Sequence, residues 1–154
     1  MPTSLNEIEA EWIWTRGLTR DLLGSCFPSD LTFALTEASG PLWKQFRHIG
    51  RVHENYLDAL ATRHVDFSVK GGSYDGSASK PALLSYFAAL EDRHKSCLSK
   101  ADPVKTIDWM GEPISLDNHL IRLLAHESLH HGQLILYWRA LERDFPPSWQ
   151  SWGM

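Results

Sequence analysis

Cysteine is scarce: Cys26 and Cys97 are the only two in 154 residues. They lie far apart in a chain with no secretion signal, so they read as buried thiols rather than as a disulfide. Basic clusters are also missing. Net charge is −4 and no run of five or more Lys and Arg stands out, which argues against nucleic acid as the main partner. No apolar run approaches the ~20 residues that a membrane span needs, so no membrane partner is expected. The stretch from Met1 to Trp14 carries Glu7, Glu9 and Glu11 and lacks the basic start and apolar run of a signal peptide. A cytoplasmic location is the expectation. Alternating, strand-like segments, internal repeats and low-complexity tracts are nearly absent.

What is present is ordinary globular material. Apolar residues make up 43% and charged residues 22%, and the length suits one domain, residues 1–154, with a proper core. Seven tryptophans supply core or interface mass. Four segments carry the 3.6-residue period of amphipathic helices. The first runs from Ser4 to about Leu23, with Leu5, Ile8, Trp12 and Leu22 on one stripe and Thr15 and Thr19 beside them. Its glutamates come early and Arg16 and Arg20 late, which matches the helix dipole, and Gly24 reads as the stop. After a connection over Phe27–Gly40, with a helical turn somewhere in Ser29–Leu35, Pro41 opens a second helix to about Arg63. Leu42, Phe46, Ile49, Tyr56, Leu57 and Leu60 form its apolar face, with His53 inside it.

Val65 to Ser79 is glycine- and serine-rich (Gly71, Gly72, Gly76) and reads as a mobile linker, or a lid over a site. Ser79-Lys80-Pro81 opens a third helix to about Ser99, with Leu83, Phe87, Leu90, His94 and Cys97 on its stripe. Val104 to Ser115 reads as a small hairpin or an extended pass across one end. A fourth helix runs from Leu116 to Leu141, with Ser115 as N-cap and Pro146-Pro147 as the stop. The tail holds Trp149 and Trp152, which need cover from the body or from a second subunit. The fold class is therefore all-α, an antiparallel four-helix bundle.

The fourth helix carries the chemistry. With His126 at the centre of a helical wheel, His119, Leu123, His130, Gln133 and Tyr137 fall within about 60° of it. Polar groups on a core-facing stripe cost free energy unless something satisfies them. Two imidazoles one turn apart, about 5–6 Å at Cβ, can share a metal ion. The alternative is one hydrogen-bonded core histidine and one groove histidine. His126-Glu127-Ser128-Leu129-His130 also matches the zinc-peptidase pattern H-E-x-x-H. That class needs a third ligand that this chain does not offer. Gln133 and Leu136 stand where the extended motif has Gly and His, and Glu142 lies about 18 Å along the same helix from His130. Glu127, about 100° from His126, reads as a rim carboxylate or as the partner of a neighbouring helix.

The stretch HESLHHGQL, with His126, His130, Gly132 and Gln133, resembles the DinB superfamily. So do RHIGRVHENYLDAL in the second helix and LERDFPPSW after the fourth. The resemblance implies a bundle of up-down-down-up topology, often a homodimer, and a divalent metal, zinc or nickel, held by three histidines. Carried over, these are His48, His126 and His130. His131 stands where many members have another basic residue. Periodicity points elsewhere for the third ligand. Relative to Phe46, His53 lies about 20° round the helix and His48 about 160°. His48 is the expected ligand on the resemblance, and His53, Glu127, Gln133 and Tyr137 are expected to line the pocket.

Some members of the superfamily resemble transferases or isomerases that use a low-molecular-weight thiol. The resulting expectation is a metal-dependent thiol S-transferase or hydrolase acting on a small molecule. The competing reading is a non-catalytic, metal-binding, dimeric stress-related protein, with a zinc peptidase as a remote third.

Overall fold

The structure is a computed structural model, and it describes residues 4–68, 72–75 and 77–154. Four long helices make the body: α1 Leu5–Ser25, α2 Leu42–Thr62, α3 Lys80–Leu98 and α4 Leu116–Ala140. Each start has a local cause. At α1 the Ser4 hydroxyl accepts from the Glu7 backbone N–H while Ser4 N–H donates to the Glu7 carboxylate, a reciprocal capping box. Ser79 and Ser115 cap α3 and α4 through their hydroxyls, and Pro41 precedes α2. Gly24 does not stop α1. The helix runs one residue further, and the Ser25 hydroxyl bonds back to the carbonyls of Asp21 and Leu22.

Pairs of touching residues give the directions. Arg16 meets Glu127 and Thr19 meets His131, so α1 and α4 run parallel. Gly50 lies against Tyr86, and Asp58 pairs with Arg93, so α2 and α3 run parallel. His48 meets His130 while Tyr56 meets His119, so α2 and α4 are antiparallel. The order is up-down-down-up, with α1 and α2 on one diagonal and α3 and α4 on the other. At Gly50 a Cβ would overlap the Tyr86 ring, so this glycine is what lets α2 and α3 approach. Leu22, Leu42, Phe46, Leu83, Phe87 and Leu134 are fully buried at the centre.

The pass between α3 and α4 is a hairpin, β1 Ile107–Trp109 with β2 Glu112–Ile114, antiparallel. Met110 and Gly111, with φ of 52° and 93°, make its two-residue left-handed turn. A 3-10 turn, Asp30–Thr32, lies inside the α1–α2 connection.

The Val65–Ser79 segment is not a free linker where it is described. Phe67 packs on Tyr56 and Trp109, and Ser73 donates to the Glu54 carboxylate from its N–H and its hydroxyl. Gly71 and Gly76 lie outside the described residues.

The tail folds back as a second 3-10 turn, Pro147–Trp152. Trp149 is buried in its own bundle, donating its indole N–H to the Leu18 carbonyl at 3.0 Å, so it needs no second subunit to cover it. Trp152 stays half exposed beside Trp14. Cys26 and Cys97 are both free, and burial pushes the Cys26 thiol up to about 12. Among the described residues no helix is long and apolar enough to cross a membrane.

Candidate metal centre

The buried stripe of α4 is centred one residue away from where the wheel places it. Leu116, Leu120, Leu123, Glu127, Leu134 and Trp138 face the core. His126 lies on the flank toward α2, only partly buried. The wheel was centred on the polar residues, whereas the leucines mark the true core line. This shift places Glu127 and His126 in different environments although they are neighbours in the chain.

On the α2 flank, His48, His126 and His130 converge. One ring nitrogen from each lies within 4.8 Å of the others. The Nε2 atoms of His126 and His130 are 3.1 Å apart, and the His48 ring is 4.8 Å from that of His130, centroid to centroid. Gln133 orients the arrangement. Its Oε1 lies 2.7 Å from His130 Nδ1, so Nδ1–H donates there and Nε2 is left with a free lone pair turned toward the triad. His126 can then offer only an Nε2–H to that lone pair, a proton that a metal ion would replace.

Burial, and then the other charges nearby, push His48 and His126 down to about 4, and burial lowers His130 as well. All three imidazoles are therefore neutral at pH 7, the form that binds metal. The His126 and His130 nitrogens already stand 3.1 Å apart, close to the spacing of about 3.3 Å that two nitrogens on one tetrahedral zinc ion would take. The donor set fits a borderline divalent ion. His48 reaches it because α2 packs against both α3 and α4. The flank toward α4, about 160° from Phe46, is an interior face too.

His53 does not belong to this group. It is fully buried on the other side of α2, in a second polar cluster that joins all four helices. Arg16 grips Glu127 with two parallel bonds, Nε to Oε1 at 2.7 Å and Nη2 to Oε2 at 2.9 Å, with both side chains 1% exposed. Glu127 is ionised, because Arg16 and the Thr19 hydroxyl overcome the desolvation that opposes its charge. The Thr19 hydroxyl donates to Glu127 at 2.6 Å and so accepts from His131 Nε2–H at 2.8 Å. Arg16 also faces His53 Nδ1 at 3.5 Å. That nitrogen must accept, so His53 Nε2–H donates to His94 Nδ1 at 2.9 Å. Trp12 stacks on His94 at 3.9 Å.

Glu127 is thus the partner of a neighbouring helix, α1, rather than a rim carboxylate or part of the pocket lining, and both of its oxygens are engaged away from the triad. Arg16 thus does more than complement the helix dipole. Its position four residues after Trp12, on the core stripe, was the available signal. His119 is also structural, accepting from Trp109 Nε1–H and donating to the Tyr56 carbonyl.

Two cavities meet at the triad. The larger, about 550 Å³, opens between α2, α4 and the α1–α2 connection, and is bounded by His48, His130, Gln133 and Tyr137 together with Lys44 and Arg47. The smaller, about 250 Å³, reaches His48 and His126 from the other side, past Arg51, Val52, Asn55 and Phe67. Gln133 and Tyr137 line the larger cavity. The Tyr137 hydroxyl is held by the carbonyls of Ser39 and Gly40, which leaves its proton engaged. Lys44 and Arg47 carry no motif of their own, and their i, i+3, i+4 spacing with His48 is the signal in the chain that marks a shared face.

The sequence matches the family model of the DinB superfamily over residues 11–134. Among solved structures, a DinB-like protein from Bacillus cereus is similar with a TM-score of 0.78 at 17% identity, covering 95% of this chain and 98% of that one. A DinB-like protein from Bacillus subtilis gives a TM-score of 0.73 at 16% identity, covering 92% and 96%. At these identities the likeness shows the fold. No curated protein matches the sequence.

Proposed function

This chain belongs to the DinB superfamily, and from that premise we propose that it is a metal-dependent enzyme in which His48, His126 and His130 hold one zinc or nickel ion for thiol transfer to a small electrophile. The observation that carries this reading is the convergence of three neutral imidazoles, one of them fixed in its tautomer by Gln133, at the meeting point of two cavities. Bound there, the ion would lower the pKa of a coordinated thiol or water enough to make a nucleophile at neutral pH.

The chain's own residues favour a thiol over water. Among the described residues lining either cavity there is no carboxylate, and the Tyr137 hydroxyl is engaged. Hydrolysis calls for a group beside the triad to move protons. Thiol transfer asks less of the site: a thiol held at the ion would release its proton to solvent, and the site then has only to hold the sulfur in line with its target. Gln133 and burial keep the triad ready, and His48 divides the two cavities so that each can hold one reactant.

The non-catalytic reading draws on the same lack of an acid or base. The homodimer draws on the exposed α4 residues Ile121, Leu129 and Leu136 and on Trp152, and light scattering at micromolar concentration tests it. The function is tested by metal analysis of the purified protein, followed by thiol consumption against a panel of electrophiles. Bound metal with turnover that is lost on chelation and in His126→Ala is the expected result. Bound metal without turnover across the panel leaves the non-catalytic reading.

A further inference from the structure

We propose that Lys44 and Arg47 form an anion-recognition subsite in the larger cavity, so that the molecule bound beside the triad carries a carboxylate or phosphate. This deepens the functional reading above and rests on it for the role of the triad alone. The chain is acidic overall, 19 Asp and Glu against 15 Lys and Arg, yet the described lining of this cavity has two cations and no acid. Among the described residues, Arg16, Arg20, Arg93, Lys105, Arg122 and Arg143 each pair with a carboxylate. Arg51, Arg63, Lys80, Lys95, Lys100 and Arg139 show no such pair, but none of them lines this cavity.

Arg47 and Lys44 share one anchor, the Trp43 indole. The guanidinium lies 5.0 Å from its centroid and the ammonium 5.9 Å, which restrains two otherwise mobile side chains. Both sit near the start of α2, whose first turn holds no acid, so the positive end of the helix dipole adds to their field. Lys44 precedes His48 by four residues, about 6 Å along the helix axis. A ligand with its anionic group on Lys44 and Arg47 therefore has room to place a second donor atom at the triad. Unpaired cations on an exposed helix face are often only solvated. What separates these is the cavity they share with two of the three histidines.

The test uses inorganic phosphate and succinate as probes, titrated calorimetrically into the purified protein at low ionic strength. Saturable binding is expected, weakened at least tenfold in the Lys44→Ala/Arg47→Ala double variant and unchanged in Lys105→Ala, which removes a distant exposed cation. Tighter phosphate than succinate assigns the subsite to a phosphoryl group, and the reverse assigns it to a carboxylate. A His126→Ala protein separates this proposal from the metal reading. An anion on Lys44 and Arg47 still binds there, whereas an anion sitting on a metal does not. Binding that survives the double variant, or no saturable binding of either probe, overturns the subsite even where the triad holds its metal. A triad that holds no metal leaves the titration just as readable.

Discussion

Six consecutive residues of α4, His126 to His131, feed two polar clusters that behave oppositely. His126 and His130 face α2 beside two cavities, and their nitrogens turn toward one another and toward His48. Glu127 and His131 face α1, in the buried core, and the Arg16 and Glu127 charges there are paired. Both clusters are rich in histidine, and their α4 members lie within two helix turns. The difference lies in what closes each one. The inner cluster is completed by an arginine and hydroxyl-mediated bonds, so it is a strut between helices. The outer cluster is left with converging ring nitrogens beside open cavities, the arrangement on which the metal proposal rests. A buried charge pair of the inner kind is weak evidence for net stability, but removing one partner of it is costly.

Acid attacks both clusters and should have the largest effect. Seven of the eight histidines are lowered from their ordinary value of 6.5, mainly by burial, with five of them down to about 4. Between pH 6.5 and about 4 the unfolded chain binds more protons than the folded one. Stability therefore rises with pH across that window and is lost as pH falls through it. Urea midpoints measured from pH 7 to pH 4 should drop steeply, with an uptake of several protons per unfolding event. Added zinc should recover part of the loss by occupying the outer triad only. A flat profile would contradict the buried, neutral state of both clusters.

Arg16→Met separates them. It leaves Glu127 buried without its counter-charge and should cost about 3–5 kcal/mol by urea denaturation. The metal content of the folded fraction should not change. A cost under about 1 kcal/mol would mean that the inner cluster is not a strut.

The reverse substitutions sharpen the comparison. His48→Ala should lose metal after dialysis while His53→Ala keeps it. If His53→Ala loses the metal and His48→Ala does not, the two clusters have been assigned the wrong way round. Gln133→Ala removes only the bond that orients His130, and should weaken metal binding about 10- to 100-fold. The smallest expected signal is none at all. Glu127 is gripped by Arg16, so a generic protein substrate should not be cleaved, and metal-dependent cleavage abolished by Glu127→Gln would refute the strut assignment.

Several of these features were legible in the chain alone because their causes are local. The serines at positions 4, 79 and 115 open helices through bonds to residues within one turn, so their effect does not depend on what packs nearby. The prolines at 146 and 147 did not set the end of α4, which closes at Ala140, six residues before them. The pairing of His126 with His130 follows from the pitch of one helix. The third histidine of the triad did not follow in this way. Periodicity gives an angle around α2 but not which neighbour occupies that angle, and it favoured His53, whose side of α2 turns out to be sealed by Arg16 and His94. Only the resemblance pointed to His48. The inward turn of Glu127, and the distinction between an open triad and a closed strut, were decided by the placement of α1 and α2 against the two flanks of α4. Those contacts join residues 78 to 112 positions apart, and no local rule reaches across such distances.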